Sequence, residues 1–158
     1  LTGKSGRTSR SSTRLPELPP PGQREPLRVL VAEDNAVNQT VIRHQLTRMG
    51  YEVEIVGNGL EAVNAARKSA FDVILMDVQM PELDGFEATQ RLRGEGFHRP
   101  WVIALTAGVG TADRELARHA GMDDYLVKPL RNESLQAALS RAYQEFKSNR
   151  NRQNAVGN

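Results

Sequence analysis

Two adjacent carboxylates, Glu33 and Asp34, a third at Asp77, a hydroxyl at Thr106 and an ammonium at Lys128-Pro129 are the residues of this chain whose types suit chemistry. Three carboxylates brought into one crevice repel and raise one another's pKa. A hard divalent cation relieves that repulsion. Mg²⁺ takes oxygen ligands and keeps several waters, so it suits such a set. Lys128 supplies a second positive charge, and Thr106 a hydroxyl that can donate to an oxyanion. The inventory suits phosphoryl transfer onto a carboxylate. Nucleophile and incoming group are both anionic, so catalysis must come from charge neutralisation and positioning. One acidic residue alone is ordinarily a helix cap or a solvated loop residue. Only a fold that gathers the whole set makes a site.

The sequence predicts such a fold. From Arg28 onward, short β-branched runs alternate with amphipathic helical stretches. Val29-Leu30-Val31-Ala32 reads as a buried strand. Asn35 to Met49 follows as a helix, with Ile42, Leu46 and Met49 on one face and Gly50 as its stop. Glu52 to Val56 alternates polar and apolar, as an edge strand does. Asn58 can cap a helix running to about Ser69. Val73 to Met76 is the most apolar strand and belongs at the centre. A helix from Asp84 to Arg93 turns Phe86 and Leu92 inward. Trp101 to Leu105 is the fourth strand, Thr111 caps the helix that Gly121 ends, and Tyr125 to Val127 is a short fifth strand. Asn132 caps the last helix, with Leu135, Leu139, Ala142 and Phe146 at helical spacing.

Five βα units predict an α/β, doubly wound, five-stranded parallel sheet, flavodoxin-like in the order 2-1-3-4-5, with five helices on its two faces. Such sheets bind ligands beyond the carboxyl ends of their strands. Glu33-Asp34, Asp77, Thr106 and Lys128-Pro129 all fall at those ends.

Composition narrows the rest. The chain has 158 residues, enough for one domain plus tails, and no cysteine. Disulfides, thiol nucleophiles and cysteine zinc sites are excluded. His44, His98 and His119 are scattered and form no ligand cluster; His44, alone on a helix surface, reads as solvated. No apolar run approaches a membrane span of about 20 residues, and no secretory h-region opens the chain. The expectation is a soluble, cytoplasmic module.

The net charge of +2 is segregated. Residues 1–27 hold five basic and two acidic side chains, and residues 147–158 three basic and no acidic ones. The stretch between holds 13 basic and 17 acidic. A nucleic-acid footprint belongs on a folded body, and this body is acidic, so no nucleic-acid partner is expected. Residues 1–26, rich in Pro, Ser and Arg, read as a linker stiffened by Pro19-Pro20-Pro21. Pro16-Glu17-Leu18-Pro19 matches a PxxP ligand only by accident of composition. Gly3-Lys4-Ser5 lacks the upstream glycine and strand of a phosphate loop. Residues 148–158 read as a polar, disordered tail.

Across residues 27–147 the sequence resembles the receiver domains of two-component signalling. Val31-Ala32-Glu33-Asp34-Asn35 and the run from Val73 to Gly85 (VILMDVQMPELDG) carry the resemblance. Ala104-Leu105-Thr106-Ala107 and Asp123-Asp124-Tyr125-Leu126-Val127-Lys128-Pro129 complete it. The resemblance implies that Asp77 is the phosphoacceptor. It implies that Glu33, Asp34, Asp77 and the backbone carbonyl of Gln79 hold Mg²⁺, and that Lys128 binds the phosphoryl group. Thr106 becomes the switch hydroxyl and Tyr125 the aromatic residue whose rotamer follows it. The Lys128–Pro129 bond is then expected cis. Leu83, where the family often has methionine, is an apolar-for-apolar departure. Gly108-Val109-Gly110 reads as a flexible loop, although a small Gly108 also leaves room for hydrolytic water.

Asn35, Asn38 and Gln39 after the acidic pair resemble receivers of hybrid histidine kinases. The implied partners are a histidine-kinase dimerisation domain or a histidine phosphotransfer protein. The alternative is a stand-alone single-domain response regulator. The stretch holds no kinase segment, so its expected catalysis is confined to its own aspartate. Two other classes fit poorly. A dinucleotide-binding domain needs G-x-G-x-x-G after the first strand, where this chain has Glu33-Asp34-Asn35-Ala36. A dehalogenase-like phosphatase wants an aspartate two residues after its nucleophile, where this chain has Gln79.

Overall fold

The computed structural model describes residues 18–108 and 110–156. Most of the proline-rich segment, including Gly3-Lys4-Ser5 and the start of the PxxP match, lies outside them, as does Val109. In chain order the elements are α1 (Pro21–Arg24), β1 (Arg28–Ala32), α2 (Ala36–Arg48), β2 (Glu52–Val56), α3 (Gly59–Lys68) and β3 (Val73–Asp77). Then come α4 (Gly85–Gly94), β4 (Trp101–Thr106), α5 (Thr111–Ala120), β5 (Asp124–Val127) and α6 (Asn132–Val156). The strands form one parallel sheet in the order β2-β1-β3-β4-β5. This is the topology expected from the sequence, with six helices among the described residues rather than five.

Strand pleating divides the core. Val29, Val31, Leu75, Ile103 and Leu105 face α2 and α6 and pack on Ile42, Leu46, Leu135 and Leu139. Their alternates, Leu30, Ala32, Ile74, Met76, Val102 and Ala104, face α3, α4 and α5 and meet Ala62, Val63, Ala88, Leu92 and Ala117. Successive residues of a strand point to opposite faces, so a run apolar at every position must be covered on both. All five residues of β3 are buried, whereas the edge strand β2 is not fully buried at any position.

Capping explains the helix starts. Asn35, Asn58 and Asp84 each accept the backbone N–H three residues on, at Asn38, Glu61 and Glu87. The side-chain oxygen satisfies a donor that has no intrahelical partner. Thr111 and Asn132 depart from expectation. Each is the first helical residue rather than the cap, and the cap of α5 is Gly110 with no side-chain bond. The Asn132 side chain accepts instead from Gln45 Nε2 at 2.9 Å. Helix α6 also continues to Val156, through most of the segment expected to be a disordered tail. Between Asn132 and Val156 there is no Gly or Pro to break it.

The segment before Arg28 also departs from the expected linker. Pro20 to Glu25 folds back as one helical turn on the C-terminal end of α2. Gly22 N–H donates to the Met49 carbonyl at 2.7 Å. A Cβ at Gly22 would stand 2.4 Å from the Gly50 carbonyl carbon, so only glycine permits this approach. Gln144 Nε2 on α6 donates to Glu25 at 3.0 Å, and Leu27 is buried in the core. The X–Pro bond Arg99–Pro100, not singled out in the sequence, is cis. No helix among the described residues is long and apolar enough to cross a membrane.

Candidate functional site

The carboxyl ends of β1, β3, β4 and β5 meet at one edge of the sheet. Parallel register sets their heights: Ala32 pairs with Met76, Asp77 with Leu105, and Thr106 with Val127. The residues just past each strand therefore converge on one cleft of about 280 Å³, lined in part by Glu33, Asp34, Asp77, Gln79 and Lys128.

Each polar group there is held by its own element. Glu33 is fully buried. Its Oε2 accepts the Asn35 N–H at 3.0 Å, and its backbone carbonyl accepts Gln39 Nε2 at 2.6 Å. The first turn of α2 thus clamps the acidic loop by backbone and side chain. Asp34 is exposed. Asp77 is 3% exposed; its Oδ1 accepts the Gln79 N–H at 3.0 Å. Lys128 Nζ donates to Asp77 Oδ2 at 2.7 Å and to Glu33 Oε1 at 3.1 Å. The Lys128–Pro129 bond is cis. Gly85 lets the loop after Asp77 fold tightly, because a Cβ there would lie 2.2 Å from the Asp77 carbonyl oxygen.

Burial alone would push the Lys128 ammonium down. The hydrogen bonds it donates to Asp77 and Glu33, and their charges, outweigh it and hold the ammonium above its usual value. The lysine is the local counter-charge for two buried carboxylates. The donor set also fits a hard cation. Glu33, Asp34 and Asp77 each offer an oxygen, and these oxygens lie within 4.8 Å of one another. All-oxygen donors with one exposed member suit a cation that retains water.

Thr106 and Tyr125 stand apart from this cluster. The Thr106 hydroxyl directs its hydrogen bonds to Gly108 and to Asp113 Oδ2, the latter at 3.2 Å. Tyr125 is half-buried, and the Arg114 guanidinium lies 4.5 Å over its ring. Asp113 was not singled out by the sequence. Seven residues past Thr106 and in the first turn of α5, it reads as an acid placed to suit the helix dipole. Gln39 stood out only as part of a pattern, not for its bond to Glu33.

The sequence and the fold match known proteins. The response regulator receiver domain family matches residues 29–140. Hybrid signal transduction histidine kinase H of Dictyostelium discoideum is 42% identical over 127 residues, covering 77% of this chain but 9% of that protein. The chain thus spans about a tenth of the length of that curated relative. Among solved structures, the receiver domain of a Pseudomonas aeruginosa PAO1 sensor histidine kinase, with magnesium coordinated in its active-site cleft, is 44% identical. Its TM-score is 0.70, over 75% of this chain and 98% of that one. A second is the receiver of the Saccharomyces cerevisiae response regulator Ssk1, solved with the histidine phosphotransfer protein Ypd1. It is 32% identical with a TM-score of 0.68, over 72% of this chain and 86% of that one. With the sheet order, the acidic cluster and the family match in agreement, this chain belongs to the response regulator receiver domains.

Proposed function

We propose that Asp77 accepts a phosphoryl group from a phosphohistidine and that the resulting acyl phosphate switches the domain. The carrying observation is the convergence, at one sheet edge, of a buried carboxylate, two further carboxylates and one shared ammonium. An Asp77 oxygen attacks the phosphorus of a phosphohistidine whose other ring nitrogen carries a proton, the N–P bond breaks, and the imidazole takes the electron pair and leaves neutral. Glu33, Asp34, Asp77 and the Gln79 carbonyl would hold Mg²⁺. Bound there, Mg²⁺ supplies positive charge against the phosphoryl oxygens and the carboxylates. Lys128 pairs with Asp77 and then with the transferred group. Asn35 and Gln39 fix Glu33 before the reaction, so little reorganisation is needed. Thr106 donates to the new anion, and Tyr125 follows by turning inward.

The donor reaches the site over α2. An apolar groove of about 330 Å³ runs from Asn38 and Val41 to Lys128 and Leu130, directly beside the cleft. Val41, which lines it, is 50% exposed, and Val37, one turn earlier on α2, is 70% exposed. This surface suits a helix that carries the histidine, from a kinase dimerisation domain or a phosphotransfer protein. The likeness to receivers of hybrid histidine kinases supports a place for this domain within such a kinase, on the cytoplasmic side where ATP feeds histidine phosphorylation. A chain with Val37→Asp and Val41→Asp should keep autophosphorylation from a small phosphodonor and lose transfer from a phosphorylated histidine protein. Equal loss of both would contradict the docking reading.

A further inference from the structure

The hydrogen bonds of Thr106 decide what phosphorylation must undo. A threonine hydroxyl has a single proton to donate. In this structure its oxygen lies 3.2 Å from Asp113 Oδ2 and 3.3 Å from the Gly108 carbonyl, while accepting the Gly108 N–H at 3.0 Å. A carboxylate and a carbonyl both accept, so the single proton is divided between Asp113 Oδ2 and the Gly108 carbonyl, the carboxylate being the stronger acceptor of the two. The same proton cannot reach an oxygen at Asp77.

The surroundings favour this arrangement. A Cβ at position 108 would stand 2.7 Å from Asp113 Oδ2, so glycine there keeps open the space the carboxylate occupies. The next residue, Arg114, places its guanidinium 4.5 Å over the Tyr125 ring. One turn of α5 therefore holds both Thr106 and Tyr125. We propose that Asp113 is a positioning residue that keeps the domain in its unphosphorylated arrangement by competing for the Thr106 proton. The proposal rests on the reading of Asp77 as phosphoacceptor and Thr106 as donor to the phosphoryl group. It adds a residue that sets the switching equilibrium without touching the phosphoryl group.

A ligand that selects the switched state binds more weakly in proportion to how rarely that state is populated. Removing the competitor should raise that population. The test uses the full chain with Mg²⁺ and beryllofluoride, read by NMR as the mimic's affinity and as the position of the Tyr125 amide between its free and saturated values. Asp113→Ala should bind the mimic about three- to tenfold more tightly. Its Tyr125 amide should move toward the saturated position before any mimic is added. Asp113→Asn, which keeps an acceptor but not the charge, should move the same way by less. In a Thr106→Ala background Asp113→Ala should add nothing. Mimic binding by the wild type with no effect of Asp113→Ala, or an equal effect without the Thr106 hydroxyl, overturns the role of Asp113 alone. A wild type that does not bind the mimic overturns the phosphoacceptor reading and this proposal with it.

Discussion

Lys128 and Asp77, 51 residues apart, are joined by a 2.7 Å contact between the lysine Nζ and Asp77 Oδ2. The same ammonium reaches Glu33 at 3.1 Å, so one cation on the loop after β5 ties together the ends of β1 and β3. A buried carboxylate without a partner is costly. Lys128 is thus needed to hold the site before any phosphoryl group arrives.

That pairing has a defined pH dependence. The folded Lys128 ammonium titrates above its usual value. Its contribution to stability is therefore complete below the unfolded lysine pKa, near 10.5, and lost only as pH rises through the higher folded value. Between pH 7 and pH 9 the stability advantage of wild type over Lys128→Gln should stay constant in urea unfolding. An advantage that shrinks across this range would contradict the pairing.

Asp34 is the exposed member of the acidic cluster and makes no ion pair among the described residues. Asp34→Ala should weaken Mg²⁺ binding by about tenfold or more, as loss of a carboxylate ligand does. The metal-free variant should unfold at the same or a higher urea concentration, because one source of carboxylate repulsion is gone. Calorimetric Mg²⁺ titration checks the first outcome. Wild-type affinity in the variant would remove Asp34 from the ligand set.

Tyr51 reports on the opposite end of the sheet. Burial pushes its phenol up to about 12; Glu25 adds to the rise and Arg24 opposes it. The unfolded phenol loses its proton near pH 10 and the folded one near 12, so the neutral form's contribution is full below pH 10 and lost between 10 and 12. The loss amounts to about 2–3 kcal/mol at most. Tyr51→Phe should lack this alkaline decline. A decline of equal size in both proteins would assign it elsewhere.

Gly22 fixes the turn that precedes β1. Gly22→Val cannot approach Gly50 as glycine does, so α1 should lift away while the sheet persists. The amide bonded to the Met49 carbonyl should then exchange faster, and the Tyr51 phenol should titrate closer to 10. The expected cost is about 1–3 kcal/mol. Unchanged amide protection in Gly22→Val would mean that the close approach is not what holds the turn.

The sheet was legible because its strands carry two independent signals. Val73 to Met76 is apolar at every position, which only a doubly covered strand tolerates, and Glu52 to Val56 alternates as an edge does. Strand ends then located Glu33, Asp34, Asp77, Thr106 and Lys128 without any tertiary information. Residues whose roles depend on long-range approach were not legible. Gly22 looks like part of a proline-rich spacer until the α2 carbonyls it meets are in place. Asp113 looks like an ordinary first-turn acid until Thr106 is oriented. Threonine favours the cap position, so Thr111 reads as a cap in the sequence, whereas the structure places the cap at Gly110 and begins the helix at Thr111. The polar residues after Phe146 suggested disorder, but polarity ends a core face without ending a helix.

The central claim is tested most directly by locating the phosphoryl group. The chain is incubated with Mg²⁺ and a small phosphodonor, the acyl phosphate is trapped by reduction, and the modified residue is mapped by mass spectrometry. The account predicts modification at Asp77 alone, dependent on Mg²⁺ and abolished in Asp77→Asn. Phosphate on His44, or labelling that persists in Asp77→Asn, would contradict it.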